Sequence, residues 1–321
     1  MPLTVEAVDP RGFAAEAGAV LREAWGPSGI LYTAEYLGWQ FGSPGGPGPL
    51  AAAAFDGGDP VGFAAAVPRR LRHAGGPVPA LVLSFVAVSP GHRGRGVAAA
   101  VYAALLAAAA PTGLPVLAYA QPGTPGRHAL LRAFGAAGYR RADLGLYRTY
   151  AHRPGPAPAA DGLSCGEVGP GEFLEAAGRC DAPRTLWSDP DPARMEHYRA
   201  DPRGRALAVA RGPGGEPLGA GMVVLCETAT PRGVERVALL DSAFLPDPRA
   251  GTLGALLRFA AGRWPDRVST PTVSAPSLWG LDAELLRAAG ARATPSAFEG
   301  YLFTAGGGAG PGVDGTNLEI I

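Results

Sequence analysis

Cysteine is almost absent. Three residues in 321, Cys165, Cys180 and Cys226, are too few and too scattered for a disulfide framework, and no C-x-x-C pair suggests zinc. They read as small core residues in a reducing cytoplasm. Charge is sparse too, at 17% of the chain, against roughly 25% in an average globular protein. The 28 basic and 28 acidic side chains cancel, so no net field draws in nucleic acid or an anionic membrane. The basic residues are scattered arginines, with short clusters such as Arg69-Arg70-Leu71-Arg72 but no stripe. Long apolar runs are also missing. The longest, Gly96 to Ala110, falls short of the ~20 residues a membrane span needs. No basic-then-apolar leader opens the chain. The expectation is a soluble cytoplasmic protein with neither nucleic acid nor membrane as partner.

What the chain does have is apolar residues, at 47%, with 48 glycines and 33 prolines placed between the apolar runs as punctuation. With the many alanines and arginines, this reads as the coding bias of a GC-rich bacterial genome. A length of 321 residues suggests about two domains. The stretch from His152 to Gly162, rich in Pro, Gly and Ala, lacks apolar periodicity and reads as a linker near the middle. The expected organisation is therefore a domain at 1–151, a linker at 152–162, a second domain at 163–304, and a Gly-rich tail without structure at 305–321.

The two halves follow one order. The first reads as strand Leu3 to Val8, helices Arg11 to Trp25 and Leu31 to Phe41, and a hairpin about Asp56-Gly57-Gly58-Asp59. There follow strand Ala80 to Val88, helix Arg95 to Ala110, strand Pro115 to Ala120, helix Arg127 to Ala137 and strand Tyr139 to Tyr150. The second half runs through the same succession from Leu163 to Phe303. Pro90 and Arg93 recur as Pro246 and Arg249, each 156 residues on, and Leu130-Leu131-Arg132-Ala133 recurs as Leu285-Leu286-Arg287-Ala288. Shared order together with shared residues points to an internal duplication.

The junction Ser84-Phe85-Val86-Ala87-Val88-Ser89-Pro90-Gly91-His92-Arg93-Gly94-Arg95-Gly96-Val97-Ala98 carries the chemistry. An apolar strand meets a tight basic glycine loop that opens straight into a helix. The first helical turn offers unpaired N–H groups and the positive end of the macrodipole, and glycines let a phosphate approach the backbone. His92, Arg93 and Arg95 add cationic or donor groups, so the expected ligand is a di- or polyphosphate. A P-loop would need Gly-Lys-Ser/Thr, and a dinucleotide fingerprint would need three glycines in G-x-G-x-x-G; neither is present.

In this context the string V-S-P-G-H-R-G-R-G-V-A resembles the acyl-CoA signature of the GNAT (Gcn5-related N-acetyltransferase) superfamily, (Gln/Arg)-x-x-Gly-x-(Gly/Ala), met here by Arg93, Gly96 and Ala98. The resemblance implies an α/β (α+β) protein of two tandem GNAT folds, each a mixed, mostly antiparallel sheet flanked by helices. It also implies acetyl-CoA, or another acyl-CoA, as cofactor. Backbone groups of Val86, Ala87 and Val88 would bind pantetheine, and those of Arg93, Gly94, Arg95, Gly96, Val97 and Ala98 would surround the pyrophosphate. An amine would attack the thioester directly.

The sequence departs from the family at the proton donor: Phe134 stands where many members carry a tyrosine. Tyr147 and Tyr119 are the substitutes by proximity, and a buried core tyrosine is the competing reading for each. Glu35 is the candidate base, with Trp39 and Tyr32 shaping the pocket; a solvated helix charge is the competing reading. In the second half Thr252 occupies the place of Gly96 and Asp247 adds negative charge, so that copy reads as degenerate, a scaffold that walls the acceptor cleft. Asp241 or Glu227 could reach such a cleft, or be turn charges. The expected partner is a small-molecule amine, the expected assembly a monomer or homodimer. The alternatives are a non-catalytic acyl-CoA sensor and transfer of a group other than acetyl.

Overall fold

The computed structural model describes residues 3–26, 29–44, 47–73, 76–153, 162–179, 186–231, 233–247, 249–269, 273–276, 283–305 and 316–317. The first half supplies β1 (Thr4–Val8), α1 (Ala14–Trp25), α2 (Ala34–Phe41), β2 (Leu50–Asp56), β3 (Asp59–His73), β4 (Gly76–Val88), α3 (Val97–Ala109), β5 (Val116–Ala120), α4 (Pro125–Ala136) and β6 (Arg140–His152). The second supplies β7 (Ser164–Glu167), α5 (Pro170–Gly178), β8 (Leu186–Ser188), α6 (Pro192–Arg199), β9 (Arg205–Arg211), β10 (Pro217–Thr230), β11 (Gly233–Phe244), α7 (Ala250–Gly262), β12 (Val273–Pro276), α8 (Ala283–Ala288), β13 (Ala291–Thr304) and β14 (Thr316–Asn317). The mixed α/β fold expected from the sequence is present, with element ends shifted by a few residues. Three helices start where a side chain caps a free N–H. Thr33 accepts from Tyr36 N, Thr124 from Arg127 N and Asp191 from Arg194 N.

All the strands join one sheet, in the order β1-β2-β3-β4-β5-β13-β6-β12-β11-β10-β9-β7, with β8 on β3 and β14 on β8. The order is palindromic in the two halves except at its centre, where their last strands are exchanged. Strand β13, from the second half, lies between β5 and β6, and β6, from the first, lies between β13 and β12. The exchange carries side chains with it. Tyr301 and Phe303 of β13 are buried with Val97, Leu130 and Phe134 under α3 and α4. Tyr150 of β6 is buried with Leu253, Leu256 and Leu257 in the core beneath α7. Each aromatic contributes about 1.5–3 kcal/mol by leaving water, so each half's core is closed by the other's chain.

On the opposite face, α1 and α2 pack in one cluster that runs from Phe63 and Phe85 to Val224, Cys226 and Leu239 of the second half. Beside it lies a buried charge network that the sequence did not announce. Asp241, read as a possible cleft or turn charge, is fully buried and takes Arg205 Nη1 at 2.6 Å. Asp201 takes Arg203 at 3.0 Å and Arg205 at 3.5 Å. The Arg203 guanidinium lies 3.7 Å over the Tyr36 ring of α2, and that of Arg205 lies 4.3 Å from Tyr198. Burial alone would raise the Asp201 carboxyl, but Arg205 and Arg203 outweigh it and hold it below its ordinary value. Glu227, the other candidate, is partly exposed and pairs with Arg236 at 2.8 Å.

Two expectations need correction. Strand β6 runs through His152, into the stretch read as linker; residues 154–161 lie outside the described residues. In the tail read as unstructured, Thr316–Asn317 pairs in parallel with Leu186–Trp187 of β8, which itself lies against Leu71–His73 of β3. The remainder of that tail lies outside the described residues, as does Cys180.

Two outcomes follow from this arrangement. The full chain unfolds in one cooperative urea transition, whereas residues 1–153 expressed alone, with the edge of β5 uncovered, yield no monomeric folded species by size exclusion and circular dichroism. Independent folding of that fragment would contradict the exchange. Asp241→Asn, which leaves a buried guanidinium short of its partner, lowers unfolding free energy by about 3–5 kcal/mol. Because the Asp201 pKa is depressed in the fold, its stabilisation is present above the unfolded value, about 3.9, and is lost as pH falls through the lower folded one. A urea midpoint series from pH 7 to pH 3 reads this out.

Candidate functional site

The site begins where two parallel strands part. Strands β4 and β5 pair only from Leu81↔Val116 to Leu83↔Ala118. Beyond that, β4 continues to Val88 with β3 on its other side, while β5 follows β13 through Ala120↔Glu299. The β4 edge from Ser84 to Val88, which includes Val86, Ala87 and Val88, thus faces a gap with no strand partner among the described residues. Inside this stretch the register against β3 jumps, setting Phe85 and Val86 opposite Ala64. Phe85 has φ 58°, the one non-glycine at positive φ among the described residues. A bulky side chain there costs about 1–2 kcal/mol. It is held by ring contacts to Tyr32 at 5.1 Å, Phe41 at 5.7 Å and Tyr36 at 6.4 Å. Bulges and left-handed outliers of this kind gather where a strand must re-aim its backbone.

The loop after β4 is open. Gly94 and Gly96 have φ 76° and 82°, and Gly96 is the N-cap of α3 without a side-chain bond to the first turn. Residues 93–96 are exposed, and a Cβ on Gly91, Gly94 or Gly96 would meet nothing within 4 Å. The first N–H groups of α3 are therefore presented to solvent at the positive end of a helix of 13 residues. Gly62 lets that helix sit low on β3: a Cβ there would stand 2.7 Å from Val97.

The cationic side chains are less free than the sequence suggested. Arg93 turns back onto the protein, donating to the carbonyls of Val88, at 3.4 Å, and Ala24. It clamps the loop to the ends of β4 and α1. His92 and Arg95 converge on Asp56 Oδ2 at 3.1 and 3.6 Å. The His92 hydrogen bond holds the Asp56 carboxyl below its ordinary value. What remains for an anion is chiefly backbone.

The other candidates are dispersed. Glu35 lies on the exposed side of α2, whereas Tyr36, Leu37 and Gln40 of the same helix are buried. Tyr32 partly lines the cluster beside Phe85, and burial pushes its phenol far above its ordinary value; burial pushes Tyr36 up to about 12. Tyr147 is buried on β6, its hydroxyl donating to Leu144 O at 2.7 Å and its ring edge-on to Tyr119 at 6.2 Å. Phe134 is buried in α4, stacked on Phe303 at 3.9 Å and edge-on to Tyr139 at 5.2 Å.

Two groups escaped the sequence reading. Tyr301, paired with Ala118 where β5 leaves β4, sits on the α3–α4 face, its hydroxyl 2.8 Å from Arg127 Nε and bonded to Glu299. Burial and the Glu299 bond raise its pKa, so the phenol stays protonated at neutral pH. No motif could have found it, because it arrives by strand exchange. The second is Arg194 of α6, which is fully buried between the halves. Across the same junction Trp39 of α2 donates to His197 O at 3.0 Å and stacks on the His197 ring at 4.6 Å and 2°.

At the matching place in the second half the glycine loop has no counterpart among the described residues. Helix α7 starts at Ala250, with Arg249 as N-cap at φ −105°, so Thr252 lies buried inside the first turn rather than in a left-handed cap. Asp247 pairs with Arg249 at 2.5 Å. The bulge is retained, between Leu240 and Ser242, and there Asp241 takes the place that Phe85 has in the first half.

Comparison with known proteins agrees with this geometry. Residues 18–138 match the Acetyltransferase (GNAT) family. No curated protein sequence matches the chain. Among solved structures, Saccharomyces cerevisiae N-myristoyltransferase with bound myristoyl-CoA superposes with TM-score 0.69 at 14% identity, over 97% of this chain and 81% of that one. A GCN5-related N-acetyltransferase from Anabaena variabilis gives 0.57 at 16% identity, over 94% and 72%. A probable N-acyltransferase from Enterococcus faecalis gives 0.56 at 13%, over 94% and 72%. At such identities the likeness is one of fold, and it extends across both halves. Residues 18–138 are thus similar to the GNAT family, and they lie in a mixed α/β sheet that the first half of the chain shares with the second.

Proposed function

We propose that the protein is an N-acyltransferase that binds an acyl-CoA in its first half and transfers the acyl group to the amine of a small molecule. The observation that carries the reading is the alignment of two features. The β4 edge left unpartnered beyond Leu83↔Ala118 leads directly into the uncapped, glycine-opened N-terminus of α3. An unpaired strand edge suits an extended amide-bearing chain such as pantetheine, and exposed first-turn N–H groups suit a pyrophosphate. The residues present fit the group.

When bound, acyl-CoA would supply a thioester open to attack by an amine. The chain's own part is binding and orientation. Ser84 to Val88 would pair with the pantetheine amides, and the N–H groups of Gly94 to Ala98 would receive the phosphates. The bulge at Phe85 and Val86 would aim a backbone N–H at the thioester carbonyl oxygen, where negative charge develops. Holding both reactants in register supplies much of the acceleration. Tyr301 holds a proton at its hydroxyl beside the gap, on the α3–α4 face, where a leaving thiolate needs one; Arg127 would steady the phenolate left behind. Tyr147 is less suited, because its ring packs with Tyr119, a partner of the buried cluster on the other face. Glu35 remains a base only if the acceptor enters along the exposed side of α2. The wall of that side comes from both halves, through Trp39 and His197, which favours a small acceptor over an extended polypeptide tail.

Isothermal titration with acetyl-CoA and with a long-chain acyl-CoA gives one equivalent bound, and Gly96→Trp, which fills the open space over the α3 N-terminus, abolishes it. Absence of binding to either thioester would end the acyltransferase reading, while binding without turnover of any amine would leave an acyl-CoA sensor. In steady-state assays Tyr301→Phe lowers kcat by about 10²-fold or more, in the range typical of a lost general acid, with KM for acyl-CoA little changed. Tyr147→Phe and Glu35→Gln serve as comparisons, and equal losses in Tyr147→Phe would shift the donor role to Tyr147.

A further inference from the structure

Of the four arginines buried among the described residues, Arg69, Arg194, Arg203 and Arg205, two are matched by buried carboxylates. Arg203 and Arg205 face Asp201 and Asp241. Arg70 and Arg72 share Asp189, at 2.6 and 2.9 Å. Arg194 is different. It is 1% exposed, and it makes no ion pair with any described carboxylate. Its Nη2 donates to Pro68 O at 3.2 Å and its guanidinium lies 5.9 Å from the Tyr198 ring, but Nε and Nη1 have no hydrogen-bond partner among the described residues. One turn along α6, His197 Nε2 is buried and equally unpartnered. Burial, and then the guanidiniums of Arg69, Arg194 and Arg205, keep that imidazole below its ordinary pKa. The described surroundings are cationic.

A buried charge with two idle donors is among the most costly arrangements a fold can hold. Each of these idle guanidinium donors suits an oxygen of a carboxylate or phosphate. The place of the cluster gives it a use. The His197 ring stacks on Trp39, Trp39 meets Tyr36 at 5.5 Å, and Tyr36 meets Phe85 of the β4 bulge at 6.4 Å. A continuous wall of contacting rings, in which Tyr36 and Phe85 are buried, thus runs from the β4 bulge to His197, one turn along α6 from Arg194.

We propose that Arg194, with His197 beside it, binds an anionic group, a carboxylate or phosphate, carried by the acceptor substrate. The acceptor would then bear its amine toward the β4 bulge and its acid at the far end of the aromatic wall. The anion site stands on the buried geometry alone, whereas its assignment to the acceptor rests on the acyltransferase reading.

The test is thermal unfolding of the full chain at fixed ionic strength, without acyl-CoA. Inorganic phosphate and acetate raise Tm saturably over chloride in the wild type, and not in Arg194→Met. With the idle charge gone, the variant by itself is at least as stable as the wild type in chloride. The matched probes 6-aminohexanoate and hexylamine differ only in the carboxylate; the first shifts Tm at lower concentration than acetate, and the second does not shift it. No anion shift in the wild type, together with a lowered Tm in Arg194→Met, would overturn the site and make Arg194 a satisfied structural residue. A phosphate shift with 6-aminohexanoate no better than acetate would overturn the assignment to the acceptor and leave a free-anion site. If acyl-CoA fails to bind while the anion shift persists, the activity falls and the anion site stands.

Discussion

The antiparallel pairing of β6 with β13 is the constraint on which the rest of the structure depends. Its register runs from Ala291↔His152 to Thr304↔Arg140. By filling the centre of the sheet with one strand from each half, it turns two sheets into one and gives β5 a neighbour other than β4. That neighbour matters for the site. With β13 beside it, β5 can leave β4 after Ala118 without leaving its own hydrogen-bonding groups bare, because Tyr119 and Ala120 pair with Gly300 and Glu299. The gap exists because the exchanged strand makes it inexpensive.

The same constraint divides labour between the halves. The first keeps the glycine-opened helix start, and the second replaces it with one more turn of α7, burying Thr252. In exchange, the second half brings Tyr301 and Glu299 to the α3–α4 face, and Arg194, His197 and the Asp201–Arg205–Asp241 network to the α2 side. The packing of Arg203 on Tyr36 and of His197 on Trp39 fixes α2 from the side its own half leaves open.

Much of this was legible in the sequence. Periodicity and punctuation gave the element order, because local apolar spacing decides strands and helices. The loop from Pro90 to Gly96 was legible because glycine adopts the left-handed backbone of positions 94 and 96 without steric cost. Thr252 likewise marked the second loop as lost. The exchange was hidden because strand pairing is nonlocal: β6 and β13 are both strands, and nothing in either names its neighbour. Asp241 sits in the apolar run Val237-Ala238-Leu239-Leu240-Asp241-Ser242-Ala243, where a lone carboxylate looks like a turn. Its partner Arg205 stands at the start of another strand, and only the fold brings them together. Arg194 belongs to the polar helix Pro192-Ala193-Arg194-Met195-Glu196-His197-Tyr198-Arg199, which reads as a solvated surface; its burial comes from the first half. Left-handed backbone at Phe85 had no signal at all, since a phenylalanine in an apolar strand normally denotes extended chain.

The exchanged strand also orders events during synthesis. Everything that forms the β4 gap and the α3 loop has been made by residue 138, yet the strand that covers β5 spans residues 291–304. A ribosome adding about 5–20 residues per second therefore holds the first half for many seconds with β5 uncovered and the aromatic plug of Tyr301 and Phe303 not yet made. The first half matures last although it is translated first, and in that interval the uncovered edge is open to foreign strands. Its completion is timed by the far end of the message.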